Sequence, residues 1–211
     1  MIVKHFELNK IKNINIKIHL IYGNNEGIKQ DIISNSYLKN FNGDILNYDE
    51  YEILNKKDDF ISGLLNKSLF EKNKIIIVSR VTEKIVELIT NILDRNIDDI
   101  KIILKSSNLE KKSKLRGIFE KEKDLICTPV YEDDNKSLIF VIQNFLRENK
   151  MNLSQEIKNI LIERSKGDRI NLKNELSKLK NLSLSKNKIE TNDVLKLTNL
   201  SENYSVFELS D

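Results

Sequence analysis

Through the first part of the chain, five short apolar runs, at residues 16–22, 44–48, 74–79, 100–105 and 125–130, alternate with amphipathic stretches. Each run has the length of a strand, and their isoleucine-rich character suits a sheet buried on both faces. Between the runs, apolar positions recur at helical spacing, as in Ile85, Leu88, Ile89, Ile92 and Leu93 after the N-cap candidate Thr82. Strands joined through helices need crossover connections, so the pattern predicts a parallel sheet. After Val130 the strand signal stops, and residues 137–149, 154–165 and 170–181 read as helices, with a shorter one from about 192 to 200. The expected fold is an α/β domain over residues 1–135, with a five-stranded parallel sheet and helices on both faces, followed by a small three-helix domain over residues 136–211. The second unit is too small to bury much surface alone and is expected to pack on the first or on a partner.

Composition narrows the function classes. The 211 residues are 39% hydrophobic and 32% charged, and no run of about 18 apolar residues is present to span a bilayer. The first residues contain no apolar signal core, and one cysteine, Cys127, offers neither an internal disulfide nor a multi-cysteine zinc site. The chain therefore reads as cytoplasmic, with no membrane partner. Two histidines leave little material for histidine-based metal or acid–base chemistry. The net charge of +3 is too small to imply nucleic-acid binding by itself, yet from Lys136 to the end there are 13 basic and 10 acidic residues, so the whole surplus falls in the helical part. Alanine and tryptophan are absent while Ile, Lys and Asn abound, as an AT-rich coding sequence would produce, and a single lysine or asparagine carries correspondingly less meaning.

The first strand runs into Gly23-Asn24-Asn25-Glu26-Gly27-Ile28-Lys29-Gln30 and then a helix, the position of a phosphate loop in an open parallel sheet. Position and residues disagree. In the pattern G-x-x-x-x-G-K-[ST] starting at Gly23, the second glycine falls on Ile28 and the magnesium-binding hydroxyl on Gln30. Lys29 alone fits, Glu26 would repel phosphate, and the strand that should end in metal-binding acids ends in Ile77-Val78-Ser79-Arg80. Gly23, Gly27 and Lys29 thus mark a degenerate loop for which no cofactor and no metal are expected. An unrelated α/β domain with a glycine turn, and an active P-loop ATPase or nucleotide kinase with an atypical loop, remain as alternatives. A nucleic-acid-binding regulator is a third, requiring a concentrated basic face.

Several segments together resemble the delta subunit of the bacterial DNA polymerase III clamp loader. These are Leu20-Ile21-Tyr22-Gly23-Asn24-Asn25-Glu26-Gly27; Lys67-Ser68-Leu69-Phe70 followed by Lys74-Ile75-Ile76-Ile77-Val78; residues 108–120; Gly167-Asp168-Arg169; Asn174-Glu175-Leu176-Ser177-Lys178-Leu179; and Phe207-Glu208-Leu209. The resemblance runs through the whole chain in order. It implies an AAA+-like first domain, a helical lid, and a third collar domain absent here, the chain stopping at that domain's edge. It implies a catalytically inert subunit that binds and opens the sliding clamp during DNA replication, within a holoenzyme that is a DNA-directed DNA polymerase, a nucleotidyltransferase. The implied partners are the sliding clamp (beta subunit) and, mainly through the collar, gamma/tau and delta prime.

In that family the Ser-Leu-Phe segment inserts its apolar pair into a hydrophobic pocket on the clamp, which assigns Ser68, Leu69 and Phe70 to clamp binding. Pattern alone favours Leu69 and Phe70 as a cap on the core, but a compact apolar pair within a charged rim is also how interface anchors are built, and the position in the family reverses that preference. Arg164, Lys166, Arg169 and Lys173 are candidate contacts to the phosphates of primed DNA, against the plainer reading of a solvated helix surface. Arg169 also lies near the family's nucleotide-sensing lid arginine and, lacking a working phosphate loop, is expected to be structural, with Asp168 capping the helix that Arg169 begins. Cys127 is expected in the core, His19 satisfied within the first strand, and Ser106-Ser107-Asn108 in a turn after the fourth strand.

Overall fold

The isoleucine-rich runs become strands whose alternate side chains feed two separate cores. A computed structural model describes residues 1–11, 17–65, 73–95, 100–122, 124–186 and 188–198, which divide into the units Met1–Tyr131 and Glu132–Asp211. In the first unit, β1 (Ile18–Tyr22) is followed by α1 (Glu26–Ile32), which continues as a wider π-helical turn (Ile33–Leu38). Next come β2 (Asp44–Asp49), α2 (Glu50–Asn55), α3 (Lys57–Leu65), β3 (Lys74–Val81) and α4 (Val86–Asp94), the last entered through a 3-10 turn (Glu83–Ile85) that Thr82 caps as expected. The unit closes with β4 (Ile100–Ser106), α5 (Lys114–Lys121) and β5 (Leu125–Pro129).

All strand pairs are parallel, in the spatial order β2-β3-β4-β1-β5. On one face, Ile18, Leu20 and Tyr22 of β1 join Ile76, Val78, Ile102 and Leu104 beneath residues of α2 to α5. On the other, Ile21, Ile75, Ile77 and Ile103 pack under Ile28, Ile32 and Ile33, with Val3 and Leu8 of the N-terminal segment. Both faces are thus covered, which is why the strands other than the edge strand β2 are largely apolar rather than alternating. The chain leaves β1 for the far edge strand β2 and later returns from β4 to β5 on β1's other side. That reversal of direction opens a crevice at the carboxyl ends of β1 and β4, where open α/β sheets hold ligands.

The second unit contains α6 (Asn135–Glu148), α7 (Gln155–Ser165), α8 (Arg169–Ser183) and the short α9 (Thr191–Thr198). Leu138 and Ile142 of α6 stand one turn apart, as do Leu172 and Leu176 of α8; with Leu161 of α7, all at most 1% exposed, they form the unit's own core. Asp134, Ser154 and Asp168 cap the first three helices by accepting backbone amides. The division after Tyr131 falls a few residues before the boundary expected near Asn135. Among the described residues no helix is long and apolar enough to cross a membrane.

Candidate functional site

Where β1 meets the crevice, Gly23 adopts φ +131°, and a Cβ there would lie 2.0 Å from the carbonyl oxygen of Val130. Glycine is therefore required at this turn. Its amide donates to the carbonyl of Ser107 at 3.1 Å, pinning the loop to the end of β4. Asn25 caps α1: its Oδ1 accepts the Ile28 amide at 2.9 Å, and its Nδ2 donates to the carbonyl of Tyr131 at 3.0 Å. The Glu26 and Lys29 amides donate to the carbonyls of Asn24 and Asn25. A phosphate cradle needs amides aimed at the ligand. Here those of Gly23, Glu26, Ile28 and Lys29 are spent on protein acceptors, and Ile28, 5% exposed, is committed to the core.

Lys29, the one residue that fits the nucleotide pattern, is 2% exposed. Its Nζ donates to the carbonyl of Ser106 at 2.7 Å and to Glu26 Oε1 at 2.6 Å, while Glu26 Oε2 lies 3.2 Å from Lys105 Nζ. One carboxylate thus joins two ammonium groups. Burial pushes the Glu26 carboxyl up, but the Lys29 hydrogen bond and the charges of Lys29 and Lys105 outweigh it and hold the group below its ordinary value. Glu26, expected from the sequence only as a like charge to phosphate, is the hydrogen-bond partner of the loop lysine.

Across the crevice, β3 slips register between Val78 and Val81, and Arg80 takes the left-handed φ of 57°. Its guanidinium pairs with Asp49, the cap of α2. Glu50, buried at the start of α2, accepts the Thr82 amide at 2.7 Å and the Thr82 hydroxyl at 2.8 Å, and the Ser106 hydroxyl donates to the Val81 carbonyl at 2.7 Å. The crevice has a volume of about 360 Å³, lined by the Gly23 loop, Ser79 to Thr82, and Lys105 to Ser107. Among the described residues, no group of three or more His, Cys, Asp and Glu side chains is placed to hold a metal ion. Asn25, Glu50 and Thr82 escaped the sequence reading as site residues. Their signal, a polar residue just before a helix or a carboxylate on its first turn, is common to most helix starts.

The other expected residues lie elsewhere. Ser68, Leu69 and Phe70, and Phe207 to Leu209, fall outside the described residues. In the second unit Arg169 Nε donates to Asp133 Oδ2 at 2.8 Å, and both side chains are largely buried. Lys173 stands one turn further along α8, Arg164 lies in the last turn of α7, and Lys166 follows it with a left-handed backbone and an exposed side chain. Asp168 caps α8 by accepting the amides of Ile170 and Asn171. His19, 1% exposed, is bonded through Nδ1 to the Tyr37 hydroxyl and through Nε2 to Thr128 Oγ1 at 2.8 Å. Burial lowers its pKa to about 3. Cys127 is fully buried, and burial raises its thiol to about 11.

No protein-family model matches the sequence, and no curated protein matches it. Solved structures do. The Bacillus subtilis DNA clamp loader delta protein superposes with a TM-score of 0.60 at 15% identity, over 92% of this chain and 62% of that one. The likeness is one of fold. The Thermotoga maritima RuvB Holliday junction branch migration motor gives 0.58 at 17% identity, over 92% and 66%, and domain III of the Thermotoga maritima replication initiation protein DnaA gives 0.52 at 14%, over 92% and 88%. The five-stranded parallel sheet followed by helices is thus an AAA+-type arrangement, and this chain spans less than two thirds of the clamp loader protein's length.

Proposed function

We propose that the chain is a delta-type subunit of a bacterial DNA polymerase III clamp loader, which binds and opens the sliding clamp without hydrolysing ATP itself. The carrying observation is the loop lysine, buried and held by the chain's own Glu26 carboxylate. Fold alone does not separate a clamp loader delta protein from a branch migration motor, since both superpose on this chain. Loop chemistry does favour one side. A nucleotide-driven motor needs loop amides and a lysine directed at phosphate, with acids for magnesium. This loop spends four amides internally, and the end of β3 offers Ser79 and Arg80.

Clamp opening then rests on binding energy. A binder opens a ring only by preferring the open form, because equal affinity for both states moves no equilibrium. Leu69 and Phe70, following α3 in the sequence, are the proposed apolar anchor, with Ser68 before them. Replacing both Leu69 and Phe70 by alanine is expected to abolish capture of the chain by immobilised clamp from the same source while leaving its circular dichroism and melting unchanged. A folded double variant that binds as well as the parent refutes the anchor. Contacts of Arg164, Lys166 and Lys173 with primed DNA belong to the same proposal and are expected to weaken steeply with salt, while Arg169, expected among them, is spent on Asp133.

A further inference from the structure

We propose that the crevice at the ends of β1 and β4 is an anion site occupied by a tethered ligand, the carboxylate of Glu26, which does permanently what a phosphate group does transiently in a nucleotide-dependent fold. Three observations carry this. Lys29 and Lys105, from different elements, converge on the two oxygens of one carboxylate, at 2.6 and 3.2 Å. Lys29 is buried, and its remaining interaction, with the carbonyl of Ser106, ties α1 to β4. The crevice beside them, about 360 Å³ and lined by Ser79, Thr82 and Ser107 among others, has room for a phosphate-sized group.

The consequence is a loop with one state. A buried ammonium stripped of its counter-charge is strongly unfavourable, so an anion at this site stabilises the charged lysine. In this chain the anion arrives with the polypeptide, three residues before Lys29 on the same helical turn, and cannot dissociate. Added phosphate would have to displace a carboxylate whose effective concentration is that of an intramolecular group. The loop is therefore ordered in the absence of nucleotide and indifferent to its presence. This holds whatever the first unit binds, so its test is separate from that of clamp binding.

The test is Glu26→Gln, which keeps the side-chain volume and removes the charge, probed with inorganic pyrophosphate by isothermal titration calorimetry and thermal melting. The parent is expected to show no heat and no change in melting temperature at millimolar pyrophosphate. Glu26→Gln is expected to bind it at least tenfold more tightly than the parent and to melt higher in its presence, and Glu26→Gln/Lys29→Met is expected to lose that response. If Glu26→Gln does not fold alone, the expectation is that pyrophosphate restores folding. A folded Glu26→Gln without gained binding, an unfolded one that pyrophosphate does not restore, or a parent that already binds pyrophosphate through Lys29 would each overturn the proposal.

Discussion

At the residue scale, three polar side chains of the first unit are defined by what they are paired with. Glu26 and the Ser106 carbonyl hold Lys29 as a brace between α1 and β4, and Glu50 ties α2 to Thr82 at the end of β3. His19 is a different case, a neutral imidazole held between Tyr37 and Thr128 with its pKa at about 3. Between the ordinary histidine value of about 6.5 and that folded value, the unfolded chain binds a proton which the folded chain refuses. Stability must then fall as pH drops through this window, by up to about 1.4 kcal/mol per pH unit from this group. Urea denaturation of the parent and of His19→Gln at pH 4, 5, 6 and 7 isolates the effect, because carboxylates and His5 contribute to both chains. The parent should lose stability on acidification faster than the variant by that amount; parallel profiles would mean His19 takes up its proton without unfolding.

At the element scale, helix starts organise the second unit. Asp133, just before α6, meets Arg169, the first residue of α8, and also accepts the Ser137 hydroxyl at 2.7 Å, so a single carboxylate links two helix beginnings. Removing one partner of a buried pair strands the other, at a cost of about 3–5 kcal/mol. Asp133→Ala is expected to destabilise the unit by about that much, and Asp133→Ala/Arg169→Met by less, as read from urea midpoints. A double variant no more stable than Asp133→Ala would show that the stranded guanidinium is not the cause. The elements themselves were legible in the sequence because their signals are local: short continuous apolar runs for strands, period-3.6 apolar spacing for helices, and caps such as Thr82 and Asp168. The Asp133–Arg169 pair was not, since 36 residues separate its members and only tertiary packing joins them. Glu26 and Lys29 were readable as neighbours on one helix turn, but burial of the lysine and the approach of Lys105 from β4 were not, and these distinguish a brace from a surface pair worth little.

At the scale of the whole molecule, the two units differ in fold and in net charge. The first unit brings Glu26, Lys29 and Lys105 together at the crevice where β1 and β4 end. The expected charge division shifts with the boundary: the second unit begins at Glu132 and so includes Glu132, Asp133 and Asp134, which cancel its positive surplus, and the net charge of +3 falls in the first unit. Under the proposed function the energy for opening a clamp comes from contact with it, and nucleotide should be irrelevant to that step. The direct measurement is the affinity of this chain for the sliding clamp of its own source, by surface plasmon resonance, with and without millimolar magnesium-ATP. The account predicts binding of equal strength in both conditions and no release of phosphate; absence of binding, or binding that appears only with ATP, would contradict it.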